Sequence, residues 1–245
     1  MPRANRYIIP RQLYHITHRC HDRSYLLRFL HDRNVYRKWL RKGAARYGVS
    51  ILGYCLTSNH IHLVAYAEQD GAISRLMQLV EGCVAQQYNR RKERKGAFWE
   101  DRFHCTLIDT GRYLWNCLTY IDLNMIRAGI VSHPEEWEWC GYRELMGIRQ
   151  RYRILDLPCL VQKTGAGSLD VLREKYNQML RLYLAADSQE REPQWTESLA
   201  VGSKSFVDLI KKRFETKRIS FLEEEMASES GPLWSIRENR AHYGP

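Results

Sequence analysis

Two strand-like runs, VSILGYCL (49–56) and HIHLVAY (60–66), are separated only by Thr57-Ser58-Asn59, and this hairpin constrains the fold more than any other feature of the chain. So short a connection makes the two runs antiparallel neighbours. Upstream, QLYHITHRC (12–20) alternates and is rich in strand formers. HDRNVYRKWLRKGAARYG then places Val35, Trp39 and Leu40 at helical spacing and ends at Gly48, a residue suited to a helix C-terminus. Downstream, Ile73, Leu76, Met77, Leu79, Val80 and Val84 recur at helical intervals in a segment from Ala72 to about Lys95, closed by Gly96. CTLIDT (105–110) reads as a short strand, and GRYLWNCLTYIDLNMIRAG as a helix bounded by Gly111 and Gly129. The order β-α-β-β-α-β followed by a helix predicts an α+β, ferredoxin-like fold. Four antiparallel strands would carry two crossover helices on one face, leaving the other for a ligand or the added helix.

Beyond HPEEWEWCGYRELMG the composition changes, which places a boundary near 155. SLDVLREKYNQMLRLYLA and SKSFVDLIKKRFET look like amphipathic helices joined by the polar ADSQEREPQWTES, so residues 156–245 are expected to form a small helical extension to a domain of residues 1–155. The net charge of +10 divides along the same line. Residues 1–155 hold 25 Lys/Arg against 14 Asp/Glu, and the remainder 13 against 14. A field of that sign favours a polyanion such as nucleic acid over a merely solvated basic surface, because QQYNRRKERKGAFWEDRF interleaves arginine with aromatics that can stack on bases. Candidate DNA contacts there are Arg90, Arg91, Lys92, Arg94, Lys95, Trp99 and Arg102, with Tyr88 and Phe103 as further stacking rings. In the extension Lys211, Lys212 and Arg213 are candidates for a hairpin stem, although amphipathic packing explains that helix equally well.

There is no apolar run of 18 residues, and the start MPRANRYIIPRQ lacks an apolar signal core, so a soluble, cytoplasmic, nucleoid-associated protein without a membrane partner is expected. The seven cysteines are odd in number and form no C-x-x-C pair, which favours reduced thiols over a disulfide framework or a zinc ribbon.

The hairpin also carries chemistry. His60 and His62 alternate along a strand and therefore share a face, about 7 Å apart along the chain, while Ile61 and Leu63 point the other way. Two neutral imidazoles so placed can bind one divalent cation, or can be two histidines on a solvated sheet face. Tyr120 and Asn124 are four residues apart, hence on one helical face. An asparagine oxygen suits a hard cation and a tyrosine hydroxyl can attack phosphorus, although spacing alone is equally served by core packing and a polar helix edge.

YHITHR, GYCLTSNHIHLV, ISRLMQ, GAFWEDRFHCTLID and YIDLNMIRAGIV, in this order and spacing, resemble the successive blocks of single-tyrosine HUH transposases, and are most similar to the REP-associated tyrosine transposases of bacteria. The resemblance covers about residues 6–150. It implies that His60 and His62 are paired metal ligands, that Asn124 is the third, polar ligand, and that Tyr120 is the nucleophile. It implies Mg²⁺ or Mn²⁺ as cofactor and hairpin-forming single-stranded DNA as partner, cut and rejoined through a 5′-phosphotyrosine link by a monomer or homodimer. The sequence departs from the family pattern at Met125, where proline is usual, and in LTSNH, which lacks the commoner Met-Pro before the histidines. Both departures leave the chemical groups intact. No Walker-type loop is present, in keeping with strand exchange that needs no nucleotide hydrolysis.

Two alternatives compete. HIT (15–17) and HCT (104–106) fit the H-x-T pattern of metal-independent two-histidine phosphodiesterases, which requires His15 and His104 to face one cleft. A domesticated protein that grips DNA hairpins without cutting them would need only the basic residues.

Overall fold

The computed structural model describes residues 8–185, 192–215, 220–226 and 231–239. Strands β1 (Leu13–Arg19), β2 (Val49–Leu56), β3 (His60–Ala67) and β4 (His104–Ile108) lie in the order β2-β3-β1-β4, every neighbouring pair antiparallel. Helix α1 (Leu30–Tyr47) links β1 to β2, and α2 (Ala72–Arg91) links β3 to β4. This is the order that two split βαβ units produce. The sequence-expected succession of elements is present, with β4 starting one residue earlier than expected and α2 ending before Gly96.

Local chemistry explains the joints. Helix α1 stops where Gly48 takes a left-handed conformation (φ 63°) that its amide uses to bond the carbonyl of Ala44. Helices α1 and α2 pack on each other, and Leu40, Leu76, Met77 and Val80 between them are buried completely. Burial of each such side chain is worth roughly 1.5–3 kcal/mol. Helix α3 (Arg112–Asp122) packs on β2 and β3, and its close approach depends on Gly53. A Cβ there would lie 2.6 Å from Leu118 Cδ2, at the bulge where the β2–β3 register shifts between Ile51 and Gly53.

The extension departs from expectation. The sequence predicts helices alone after 155, and, following the short α4 (Asn124–Arg127) and α5 (Tyr142–Leu145), helices α6 (Leu157–Thr164), α7 (Leu169–Ala185), α8 (Gln194–Glu197) and α9 (Lys204–Glu215) are present. So are three strands, which continue the same sheet to seven: β5 (Ala200–Gly202) runs parallel to β4, β7 (Leu233–Glu238) pairs with β5, and β6 (Phe221–Met226) is the outer edge. The reason is that β5 is too short to show a period and that FLEEEM sets three successive carboxylates on alternating faces, so no apolar alternation marks it as a strand. Helix α7 is tied to α3 by a 2.6 Å bond from the Tyr176 hydroxyl to Asp122 Oδ2.

At the other end of the sheet, the segment after α3 runs along the open edge of β2. Leu56 N donates to Trp139 O, Gly141 N to Tyr54 O and Asp156 N to Ile51 O, satisfying an edge that would otherwise be left to water or to another chain. Among the described residues no helix is long and apolar enough to cross a membrane, and all seven cysteines are free thiols.

Candidate active site

Strand β3 presents His60 and His62 toward α3, while Ile61 and Leu63 are fully buried. The two imidazole centroids are 4.9 Å apart, nearly perpendicular. His60 Nδ1 lies 2.7 Å from Asn59 Oδ1 and 2.9 Å from Thr57 Oγ1. Because an amide oxygen only accepts, Nδ1 carries the hydrogen and Nε2 keeps its lone pair.

His62 is oriented by a longer chain. His15 Nδ1 lies 2.7 Å from the carbonyl oxygen of Trp195, which makes Nδ1 the donor and leaves His15 Nε2 to accept from His62 Nδ1 at 2.9 Å. The lone pair of His62 Nε2 therefore faces Asn124, whose Nδ2 is 3.1 Å away. Burial lowers the His15 pKa to about 3 and that of His60 to about 4, the latter helped by Arg19, and holds His62 well below the usual range, with His60 and His15 adding to the effect. Both hairpin imidazoles are thus neutral near pH 7, the form that ligates metal.

Helix α3 delivers the tyrosine. The chain turns at Leu123 into the short α4 (Asn124–Arg127), so the single helix expected over 111–129 is broken, yet Tyr120 and Asn124 line the same cleft of about 980 Å³ with His60 and His62. The Tyr120 ring stands edge-on to those of His62 and His15, and is flanked by Trp195 at 6.3 Å. The Arg127 guanidinium lies 4.3 Å over that ring and donates to the Tyr120 carbonyl at 2.6 Å.

The donor set fits one hard or borderline divalent ion. Two neutral imidazole nitrogens and, with its amide turned, the oxygen of Asn124 are the protein donors such an ion takes while keeping several waters. Among the described residues no group of three or more His, Cys, Asp or Glu is placed to hold a metal.

The expected DNA contacts fare unevenly. Arg102 lines the cleft, and Arg90, Lys92 and Lys95 lie at or near the end of α2. Arg91 is paired with Asp32, and Arg94 donates to Asn89 Oδ1 and Ala97 O. Trp99 is not an open stacking ring: His18 stacks on it at 4.2 Å and its indole N–H donates to Glu81 O. Phe103 is buried, and Tyr88 packs edge-on against Phe98. In the extension Lys212 and Arg213 are exposed, but Lys211 is committed to Glu223 on β6. The demands of joining α9 to the sheet consume that charge.

Two residues that shape the cleft escape sequence reasoning in these positions. In the sequence His15 reads as part of an H-x-T pattern. It is fully buried, bonded to His62, and not among the residues lining the cleft, whereas His104 lines it and bonds Ser198 O and Thr106, so the two histidines do not both face one cleft. Arg127 follows Asn124 by three residues on one helical turn, a signal that could have found it.

Residues 9–124 match the family model described as "Transposase IS200 like". A Haemophilus influenzae protein provisionally described as a REP-associated tyrosine transposase is 28% identical over 142 residues, covering 53% of this chain and 79% of that protein. Among solved structures, a REP-associated tyrosine transposase bound to a REP hairpin superposes with a TM-score of 0.51 at 18% identity, over 64% of this chain and 94% of the other, a likeness of fold.

Proposed function

On the premise that residues 9–124 are an IS200-like transposase domain, we propose that this protein cuts and rejoins single-stranded DNA beside hairpin-forming repeats, with Tyr120 as the nucleophile. The observation that carries this reading is the convergence of His60, His62, Asn124 and Tyr120, from one strand and two successive helices, on a single cleft. A hairpin as the partner is supported by the solved relative, which is bound to one.

Tyr120 Oη forms a bond to the scissile phosphorus and gives up its proton, the bond from phosphorus to the 3′-oxygen breaks, and that oxygen leaves as a hydroxyl. One phosphodiester replaces another, so the attack of a second 3′-hydroxyl reverses the step and no nucleotide hydrolysis is needed. His60, His62 and Asn124 would hold Mg²⁺ or Mn²⁺, which when bound supplies Lewis acidity and charge neutralisation at the phosphate. Asn59 and the His15–Trp195 pair keep both imidazole lone pairs turned to the cleft. Arg127, over the Tyr120 ring, is a positive charge beside the developing phenolate.

Incubation of labelled hairpin DNA carrying a single-stranded flank, with Mn²⁺ or with EDTA, followed by denaturing electrophoresis, tests the reading. A protein-linked strand that forms with Mn²⁺ and not with EDTA is expected. Tight hairpin binding without any linked strand would identify a binding protein that does not cut, and linkage in EDTA would remove the metal from the scheme.

A further inference from the structure

The cleft is weakly charged for a site that takes a polyanion. Arg19, Arg23, Arg102 and Arg127 line it, but so do Glu100, Asp101 and Glu197. The cationic run at the end of α2 is in part internally committed through the Arg91–Asp32 pair and the bonds made by Arg94. Lys211 is neutralised by Glu223. The cleft and the end of α2 therefore account for only part of the cationic surplus of residues 1–155.

A second concavity has a different balance. Between α1 and the segment along the β2 edge, a groove of about 780 Å³ is lined by Arg37, Lys38, Arg41, Arg143, Arg149 and Arg151, and Glu138 is the one carboxylate among its described lining residues. It shares no lining residue with the cleft. Sequence reasoning missed it because its cations come from positions 37–41 and 143–151, which only the docking of that segment on β2 brings together.

The groove is held open by a buried polar network. Fully buried Glu144 accepts from the Tyr54 hydroxyl at 2.6 Å and from the amides of Ile154 and Leu155 at 2.6 and 3.0 Å. The same carboxylate fixes Arg37 at 3.1 Å, and Arg37 also donates to the Tyr54 hydroxyl. Across the groove Arg149 donates to Glu138 O at 2.9 Å, and its amide to Arg143 O at 2.8 Å. Lys38, Arg41 and Arg151 make no ion pair among the described residues. Like charges converging on fixed walls repel one another until an anion enters, and arginine forks suit phosphate. Tyr152 stands at the rim, 75% exposed, with Arg41 5.4 Å from its ring, and offers an aromatic surface to a base.

We propose that this groove binds the phosphodiester backbone of nucleic acid outside the catalytic cleft and supplies most of the salt-dependent affinity. The choice of nucleic acid as the polyanion rests on the transposase reading. The test is a Lys38→Ala/Arg41→Ala/Arg151→Ala variant of the full chain, which leaves the Glu144 network intact. Fluorescence anisotropy with a labelled hairpin oligonucleotide and with an unpaired one, over a series of salt concentrations, reads affinity and its salt slope. The slope of log Kd against log salt is expected to fall by about two to three, and affinity near 0.1 M salt by about tenfold or more, with an unchanged melting temperature. A loss with the unpaired oligonucleotide assigns the groove to single strand, and one confined to the hairpin assigns it to the stem. Unchanged affinity and slope with both would overturn the proposal. So would an equal loss in an Arg90→Ala/Lys92→Ala/Lys95→Ala control, because charge anywhere on the domain would then serve as well. Failure of the wild type to form a protein-linked strand would count against the transposase reading and leave the anisotropy result to decide the groove.

Discussion

The Tyr120 ring stands edge-on to the imidazole of His62, their centroids 5.9 Å apart and their planes at 82°. If the hydroxyl is the nucleophile, Tyr120→Phe removes the reacting oxygen and keeps the ring contacts with His62, His15 and Trp195. Strand cleavage is expected to fall by on the order of 10³-fold or more while hairpin Kd stays within about twofold. Comparable cleavage by the variant would remove Tyr120 from the reaction.

His15 touches no substrate in this scheme and acts through His62. His15→Phe preserves a flat buried ring and deletes the nitrogen that accepts from His62 Nδ1. Outer partners of ligating histidines typically contribute 10- to 100-fold in metal affinity, so Mn²⁺ binding measured by calorimetry or electron paramagnetic resonance should weaken by about that factor. His15→Gln, which can still accept, should recover part of the loss. Equal Mn²⁺ affinity in all three proteins would show that the His62 tautomer needs no support.

Burial raises the Asp122 carboxyl from its usual 3.8 to about 7, partly offset by the bond from Tyr176. A raised folded-state pKa means that the stabilising contribution is full below about pH 4 and is lost as pH rises through about 7, at up to about 1.4 kcal/mol per pH unit. The lowered histidines run the other way, losing stability as pH falls below their unfolded value. Asp122→Asn keeps an acceptor for Tyr176 and removes only the first dependence. Denaturant unfolding at pH 5 and pH 7 should therefore show the variant gaining relative to wild type at the higher pH, and a constant difference would contradict the assignment.

Lys211 faces Glu223 and Asp208, joining α9 to β6. Lys211→Ala is expected to cost no more than about 1 kcal/mol of stability and to leave hairpin affinity and its salt slope unchanged. A reduced slope would return this lysine to the DNA interface.

The parts of the fold legible in sequence are those with a period or a short connection. The three-residue link after Leu56, the apolar spacing of α2 and the alternation of His60 and His62 each fix a local geometry that tertiary contacts do not override. Tyr120 and Asn124 could be paired because one helical turn separates them, and the break at Leu123 does not part them. The contribution of Trp195 was not legible, since its carbonyl reaches His15 across 180 positions of sequence and no residue type announces a backbone acceptor. Strands β5 to β7 were missed for a related reason: three residues of β5 find their partner only once β4 exists.

The central claim is a covalent bond between one hydroxyl and DNA, and mass spectrometry of the nuclease-trimmed, proteolysed reaction product tests it most directly. With Mn²⁺ and hairpin DNA, the peptide containing Tyr120 should carry the mass of a 5′-linked nucleotide, and the Tyr120→Phe protein should yield none. A nucleotide on any other residue, or an unmodified Tyr120 peptide alongside cleaved DNA, would contradict the claim.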